Sequence, residues 1–352
     1  MSRASKQPEL MSGVALAEAL ADAIETPRLK FLRHADAVPL VQLVQGREAD
    51  LDRVPAPRGD SNDDHLLAAA GMVAATRMWR ETRVVYDFDP SLSESLVDME
   101  LDSEFPGEVL RRLPHPNPLF LFRKPIMSQD EFGRPTAMRG FVLMLRPHLA
   151  EVVSTVDIDK HDGVPYAVIA VVDVLDEHGS VLERQTVELF APTKAENTTA
   201  RKMMDEAPVI HVLGGEIGPQ DSALREYMAR LALIVVSHLL YVCCDKPDLE
   251  KVPAPPRCAQ RRGIRRGRAA QVHRVGWRLG PAIRQFHDKV DRLRRTAIRR
   301  GWKVIPHVRR GHPHTFLFGP RKSLKKVKWI PPLLVNAAAF GRDGEGIIVP
   351  VH

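Results

Sequence analysis

The chain has 352 residues, of which 44% are hydrophobic and 27% charged, with 28 Pro and only 3 Cys. That composition suits about two globular domains of 100–200 residues with a real core, and it excludes collagen, coiled coil, global disorder and a disulfide framework. The net charge of +7 hides a division: residues 257–328 carry 23 Lys and Arg against Asp288 and Asp291, a net of +21, and the other 280 residues net −14.

The opening residues, MSRASKQPEL, lack the apolar stretch of a secretory leader. The longest apolar run, Leu231–Cys244, has 14 residues and includes Ser237 and His238, short of the ~20 that cross a bilayer. A cytoplasmic protein with no membrane association is expected.

Residues 1–80 read as a helical region. Leu16, Leu20, Ile24 and Leu29 recur near helical spacing within 14–34. VPAPRGDSND reads as a loop, and Asp63 or Asp64 is placed to cap a second helix that ends near Arg80.

Residues 81–246 read as an acidic core. RVVYDF (Arg83–Phe88) is a short strand. Residues 87–108 hold eight acids and no Lys or Arg, interleaved with Leu92, Leu96, Val97, Met99, Leu101 and Phe105. This stretch is a solvated acidic loop with a short helix, a nucleic-acid mimic, a docking strip for a basic partner, or a partner for the basic segment. Strands are predicted at Leu119–Arg123, 139–146, 166–175 and 181–190, the last two joined by a turn at Glu177–Ser180. PVIHVLGGEIGP is a strand and a glycine turn. Residues 221–244, capped by Asp221 or Ser222 and apolar on most sides, form the core helix. The fold class expected is α+β: a mainly antiparallel sheet packed on a buried helix, followed by a basic C-terminal α+β region.

PDLEKVPAPP (247–256) reads as a stiff extended linker into that region, 257–352. Residues 257–271 form an exposed loop with Arg261, Arg262, Arg265, Arg266 and Arg268. Residues 281–300 are a helix begun by Pro281, with Ile283, Phe286, Val290, Leu293 and Ile298 inward and Arg284, Lys289, Arg292, Arg295 and Arg299 in water. Strands follow at 302–308, 314–318 and 324–330, the last two joined at Gly319-Pro320, and WIPPLLVN closes the region.

The densest constellation is Pro306–His314, which holds His307, Arg309, Arg310, His312 and His314. On an extended backbone His312 and His314 share one face. The two Arg fork onto phosphates. Four readings stay open: a structural or anion-binding role, nucleic-acid contact, acid/base cleavage of RNA by His312 or His314, and zinc with ligands from elsewhere. Trp277, Phe286, Trp302, Phe316, Phe318 and Trp329 are interleaved with the cations, either as core or as stacking faces. The expected nucleic-acid-binding set is the Arg and His just named, excepting Arg284, together with Arg321, Lys325, Lys328 and Trp329.

No phosphate-loop, H-E-x-x-H, C-x-x-C or G-x-S-x-G motif occurs. No cofactor and no metal is expected. A metal on Asp87 and Asp89 is a weak alternative, and the balance is against an enzyme.

The ordered blocks FPGEVLRRLPHPNPLFLF, LYVCCDKPDL, VGWRLGPAIRQ, PHVRRGHPHTFLFGPR and VKWIPPLLVN resemble the VA2 family of anti-CRISPR proteins, found on phages and plasmids. The resemblance runs from about Tyr86 to Asn336. It implies a mobile-element counter-defence protein that lowers production of a type V CRISPR effector nuclease, by recognising the N-terminal part of the nascent effector and causing loss of its message. The implied partners are RNA, ribosome or nascent polypeptide, and a CRISPR effector. The matched positions are His307, Arg309, Arg310, His312, His314, Gly319, Arg321, Trp329 and Pro331. Pro313 stands where the family often has an aromatic.

Overall fold

The computed structural model describes residues 7–34, 61–99, 104–145, 166–191, 197–199, 202, 211–212, 215–216, 222–252, 270–299, 307–309, 311–322 and 324–335. Helix α1 (Gln7–His34) lies beside α2 (Ser61–Thr82). The buried stripe of α1 is Ala17, Leu20, Ala21 and Ile24, whereas Leu16 is 44% exposed. Leu20 and Ile24 are buried as the spacing predicts, and small alanines, Ala17 and Ala21, complete the stripe in place of Leu16. Helix α2 starts at Ser61, which places Asp63 and Asp64 inside its first turn and not at the cap. Arg77 and Arg80 of α2 pair with Glu25 of α1, each at 2.9 Å.

Strand β1 (Val84–Phe88) leads into α3 (Pro90–Val97), β2 (Phe105–Pro106) and a 3-10 turn at Gly107–Arg112. Then come β3 (Leu119–Gln129), β4 (Pro135–Leu145), β5 (Tyr166–Leu175), β6 (Val181–Ala191), β7 (Asn197–Thr198), β8 (His211–Val212) and β9 (Gly215–Glu216). Helix α4 (Ser222–Cys243) precedes β10 (Leu249–Val252), β11 (Gln271–Val275) and helix α5 (Leu279–Arg299). The last strands are β12 (His307–Arg309), β13 (His312–Phe318), β14 (Leu324–Ile330) and β15 (Leu333–Val335).

Among the described residues the main sheet has nine strands, in the order β10-β11-β1-β3-β4-β5-β6-β8-β9. It is antiparallel from β3 to β9 and between β10 and β11, as expected for an α+β fold. Strand β1 is the exception, running parallel to both β3 and β11. Both strands that extend the sheet beyond β1 come from places where none was predicted. Leu249–Val252 lies within the stretch read as a linker, yet it is the edge strand β10. QVHRV follows the arginine-rich stretch and enters the sheet as β11. Its short alternation was masked by the surrounding charge.

Helices cover both faces, which is why YAVIAVVDVL is apolar almost throughout and does not alternate. On one face α1 and α2 bury Val85, Leu121, Val142, Ile169 and Val171. On the other, α3, α4 and α5 pack over Tyr86, Phe88, Phe120, Phe141, Val168 and Val172. By length and composition α4 would suit a membrane span, but 89% of its most apolar window is buried inside the protein. In α5 Ile283, Phe286 and Val290 are buried, while Ile298, expected to face inward, is 65% exposed. The last two turns of α5 have left the apolar body.

Candidate nucleic-acid interface

The cationic elements are anchored by carboxylates of the acidic part. Asp248 sits at the start of α5 and accepts hydrogen bonds from the backbone N–H of Arg278 (2.9 Å) and of Leu279 (2.8 Å). It also accepts one from Arg278 Nε at 2.9 Å. A carboxylate there satisfies orphan donors and faces the positive end of the helix. Asp89 caps α3 through the N–H of Ser91 and receives Arg284 Nη1 on both oxygens at 3.0 Å. A Cβ on Gly280 would stand 2.1 Å from Asp89 Cγ, so any side chain there displaces the carboxylate. Gly276 turns the chain between β11 and α5 at φ +77°, against Leu92. Most of VGWRLGPAIRQ is therefore scaffold for α5.

Beyond that anchor, Lys289, Arg292, Arg294, Arg295 and Arg299 are exposed on α5. Arg292 Nε donates to the Asp288 carbonyl at 3.2 Å. Among the described residues none of the five forms an ion pair with a carboxylate. The chain's own acids take other cations: Arg274 with Glu250 (3.8 Å), Arg278 with Asp248, Arg284 with Asp89, and Lys326 and Lys328 with Asp245 (3.6 and 3.8 Å).

The densest sequence motif becomes a two-stranded ribbon. His307 faces Val335, Arg309 faces Leu333 and His312 faces Ile330, one register across both ladders. The pairing lapses beside Pro331 and Pro332, which have no N–H to donate. Gly311 lies there too, buried, where a Cβ would stand 2.6 Å from the Trp329 ring.

Alternation sorts the side chains of the hairpin. One face holds His312, His314, Phe316 and Phe318 on β13, with Ile330, Lys328 and Lys326 on β14 directly opposite the first three. The other holds Val327, buried at 1%, and Trp329, edge-on to Tyr241 at 6.1 Å. The first face is outward: Phe316 and Phe318 are 37% and 41% exposed. Ring centroids lie 6.4 Å apart for His312 and His314 and 4.6 Å for His314 and Phe316, both pairs edge to face. Lys326 Nζ lies 5.2 Å from the Phe318 centroid and Lys328 Nζ 5.8 Å from that of Phe316, within cation–π range.

The structure thus brings His312, His314 and Lys328 onto one outward face and exposes Arg292, Arg295, Arg299 and Arg321. Lys325 and Trp329 lie on the opposite face of the hairpin. His307 and Arg309 lie on β12, where the backbone alone is described. Arg261, Arg262, Arg265, Arg266, Arg268, Arg310 and Trp302 fall outside the described residues. Sequence reasoning passed over Arg294 and Lys326. Period two in LKKVKWI was the available signal, since it puts Lys326, not Lys325, beside Lys328.

Other candidates resolve into structure. Asp87 receives Arg123 at 2.9 and 2.5 Å, and with Asp89 engaged as above the pair is built into ion pairs and a cap. Among the described residues no three His, Cys, Asp or Glu gather where they could hold a metal ion. Cys243 and Cys244 are free, and burial raises both thiols, Cys244 to about 11. An unpredicted ring cluster joins Tyr86 of β1 and His273 of β11 to His115, which precedes β3: Tyr86 Oη meets His115 Nδ1 at 2.7 Å, and the His115 and His273 rings lie tilted with centroids 4.7 Å apart. Burial pushes His273 down to about 4, helped by His115 and Lys251, and lowers His115 also.

A search of the curated proteins finds no match. The crystal structure of AcrVA2 aligns with a TM-score of 0.45 at 18% identity, over 93% of this chain and 99% of that one. A family profile described as AcrVA2-like, the anti-CRISPR type V subtype A2 family, matches residues 86–337. The matched span opens on β1 and takes in α3, α4, α5 and the whole ribbon. The chain belongs to the AcrVA2-like family of anti-CRISPR proteins.

Proposed function

We propose that this anti-CRISPR protein, carried by a phage or plasmid and working in the bacterial cytoplasm, lowers expression of a CRISPR effector by engaging its nascent chain, its message or the translating ribosome through the basic C-terminal region. One observation carries the reading. Arg292, Arg294, Arg295 and Arg299 stand in water without carboxylate partners among the described residues, although the rest of the chain is acidic. Guanidinium groups clustered on one helix without carboxylates beside them repel one another and are stabilised by an external polyanion. Phosphate chains supply such a partner and release counterions on binding.

Co-expression with a type V effector tests it. The effector's message and protein both fall, and replacing Arg292, Arg294 and Arg295 together with Gln restores them. An unchanged message overturns the reading. Purified protein incubated with labelled RNA tests strand cleavage by His312 or His314, which the perpendicular histidine pair alone favours: intact RNA removes it.

A further inference from the structure

We infer that the outer face of the β13–β14 hairpin binds a short unpaired segment of RNA, with bases stacked on Phe316 and Phe318 and the phosphate chain following Lys326 and Lys328. The inference deepens the reading above and rests on its premise that the basic region meets RNA.

Rings and cations are segregated by strand on this face. β13 presents His314, Phe316 and Phe318, and β14 presents Lys328 and Lys326 directly across from His314 and Phe316. Opposed side chains on an antiparallel pair stand about 5 Å apart. Two parallel tracks result, one that offers flat apolar faces and one that offers ammonium groups. A single nucleic-acid strand has the same division, with bases along one edge and phosphates along the other.

The spacing favours an unpaired strand. Residues two apart on a strand are separated by about 6.8 Å, twice the ~3.4 Å rise of stacked bases. Successive rings therefore address bases that have been spread apart. A duplex keeps its base faces inside the stack and gives such rings nothing to cover, so RNA read through aromatic faces is read where it is single-stranded. Exposure agrees: Phe316 and Phe318 keep more than a third of their surface in solvent, where a soluble protein gains nothing by leaving two phenyl rings side by side. The ammonium groups stand 5.2 and 5.8 Å from the two ring centroids, so a strand stacked on the rings has lysines within reach of its phosphates.

Asp245 is the opposing charge. Its Oδ2 lies 3.6 Å from Lys326 Nζ and 3.8 Å from Lys328 Nζ, so two ammonium groups share one carboxylate and the site keeps a net positive charge. Its backbone N–H donates to the Val327 carbonyl at 2.8 Å and is untouched by a side-chain change. Asp245→Asn should therefore tighten binding.

The full-length protein is titrated into labelled oligouridine and into a self-paired RNA hairpin of equal length, at several salt concentrations. Oligouridine is expected to bind more tightly than the hairpin. Phe316→Ala and Phe318→Ala each weaken oligouridine binding by roughly 5- to 150-fold, the range for loss of one base–aromatic stack. The Leu variants at both positions, which keep an apolar side chain, lose as much. Lys326→Gln with Lys328→Gln reduces the slope of log affinity against log salt by about 1.4, two phosphate contacts on a single strand. The lysine pair carries the test should a ring variant fail to fold. Oligouridine binding that survives both phenylalanine changes, or a hairpin bound as tightly as oligouridine, overturns this inference and leaves the broader reading standing. Wild-type protein that binds no RNA at low salt overturns both.

Discussion

Asp248 and Gly280 hold the start of α5 by opposite means, one by what it supplies and the other by what it leaves out. Asp248→Ala strips two backbone N–H groups and Arg278 of their acceptor. Urea unfolding is expected to show a loss of about 2 kcal/mol, the upper end for a lost cap. Gly280→Ala drives a methyl into the Asp89 carboxylate. It is expected to cost about 1–3 kcal/mol, as overpacking does, and to loosen α3 through its cap. Neither role was legible in the sequence. Asp248 sits 30 positions before the N–H group it caps, and Asp89 lies further still from Gly280. What could be read was the outcome of spacing within one element, as with His312 and His314, because alternation along a strand needs no knowledge of the fold. Ile298 shows the limit of the same logic: its helical phase is right, but the body it should pack on ends before it.

At the level of the element, the β13–β14 hairpin was legible almost entire, since its turn, its alternation and its two strands are local. Its continuation was legible only in part: the strand read at 302–308 reaches His307 and Val308 of β12, but β15 was not foreseen, because Pro331 and Pro332 break the pattern that announces a strand. The turn carries a cost of its own. Arg321 adopts φ +52° and is exposed, a left-handed conformation that strains a side chain with an ordinary Cβ. Asn tolerates it better. Arg321→Asn is expected to stabilise the protein by about 0.5 kcal/mol in thermal melts and, with a cation gone from the hairpin, to weaken RNA binding. Stability and binding moving in opposite directions would mark a residue kept for its charge.

Over the whole molecule, stability is expected to fall on mild acidification. His238 is buried in α4 against Phe88 and Phe122, and burial pushes it down to about 3. It stays neutral in the fold, while the unfolded chain takes up its proton below about pH 6.5. Stability is therefore full above that pH and drains as pH falls from 6.5 toward 3, by about 1.4 kcal/mol per pH unit. His273 acts in the same direction over a narrower range, down to about 4. Urea midpoints at pH 7 and pH 5 measure the sum, and His238→Phe should flatten the difference by nearly one proton. The burial that causes this was visible in the sequence as the apolar helix around His238; the ring cluster on β1 and β11 was not, because its members are distant in the chain.

The placement of β10 and β11 reaches beyond folding. The arginine-bearing half is stitched to the acidic half by hydrogen bonds along β1, and α5 packs on the face that α4 fills. A gene broken between the two halves would give a fragment with a bare sheet edge and another without a floor. Such a protein does not trade its cationic half as a cassette. If the hairpin and the free end of α5 carry recognition, as proposed above, a new target is reached by changing side chains there while the seam between the two parts is inherited intact.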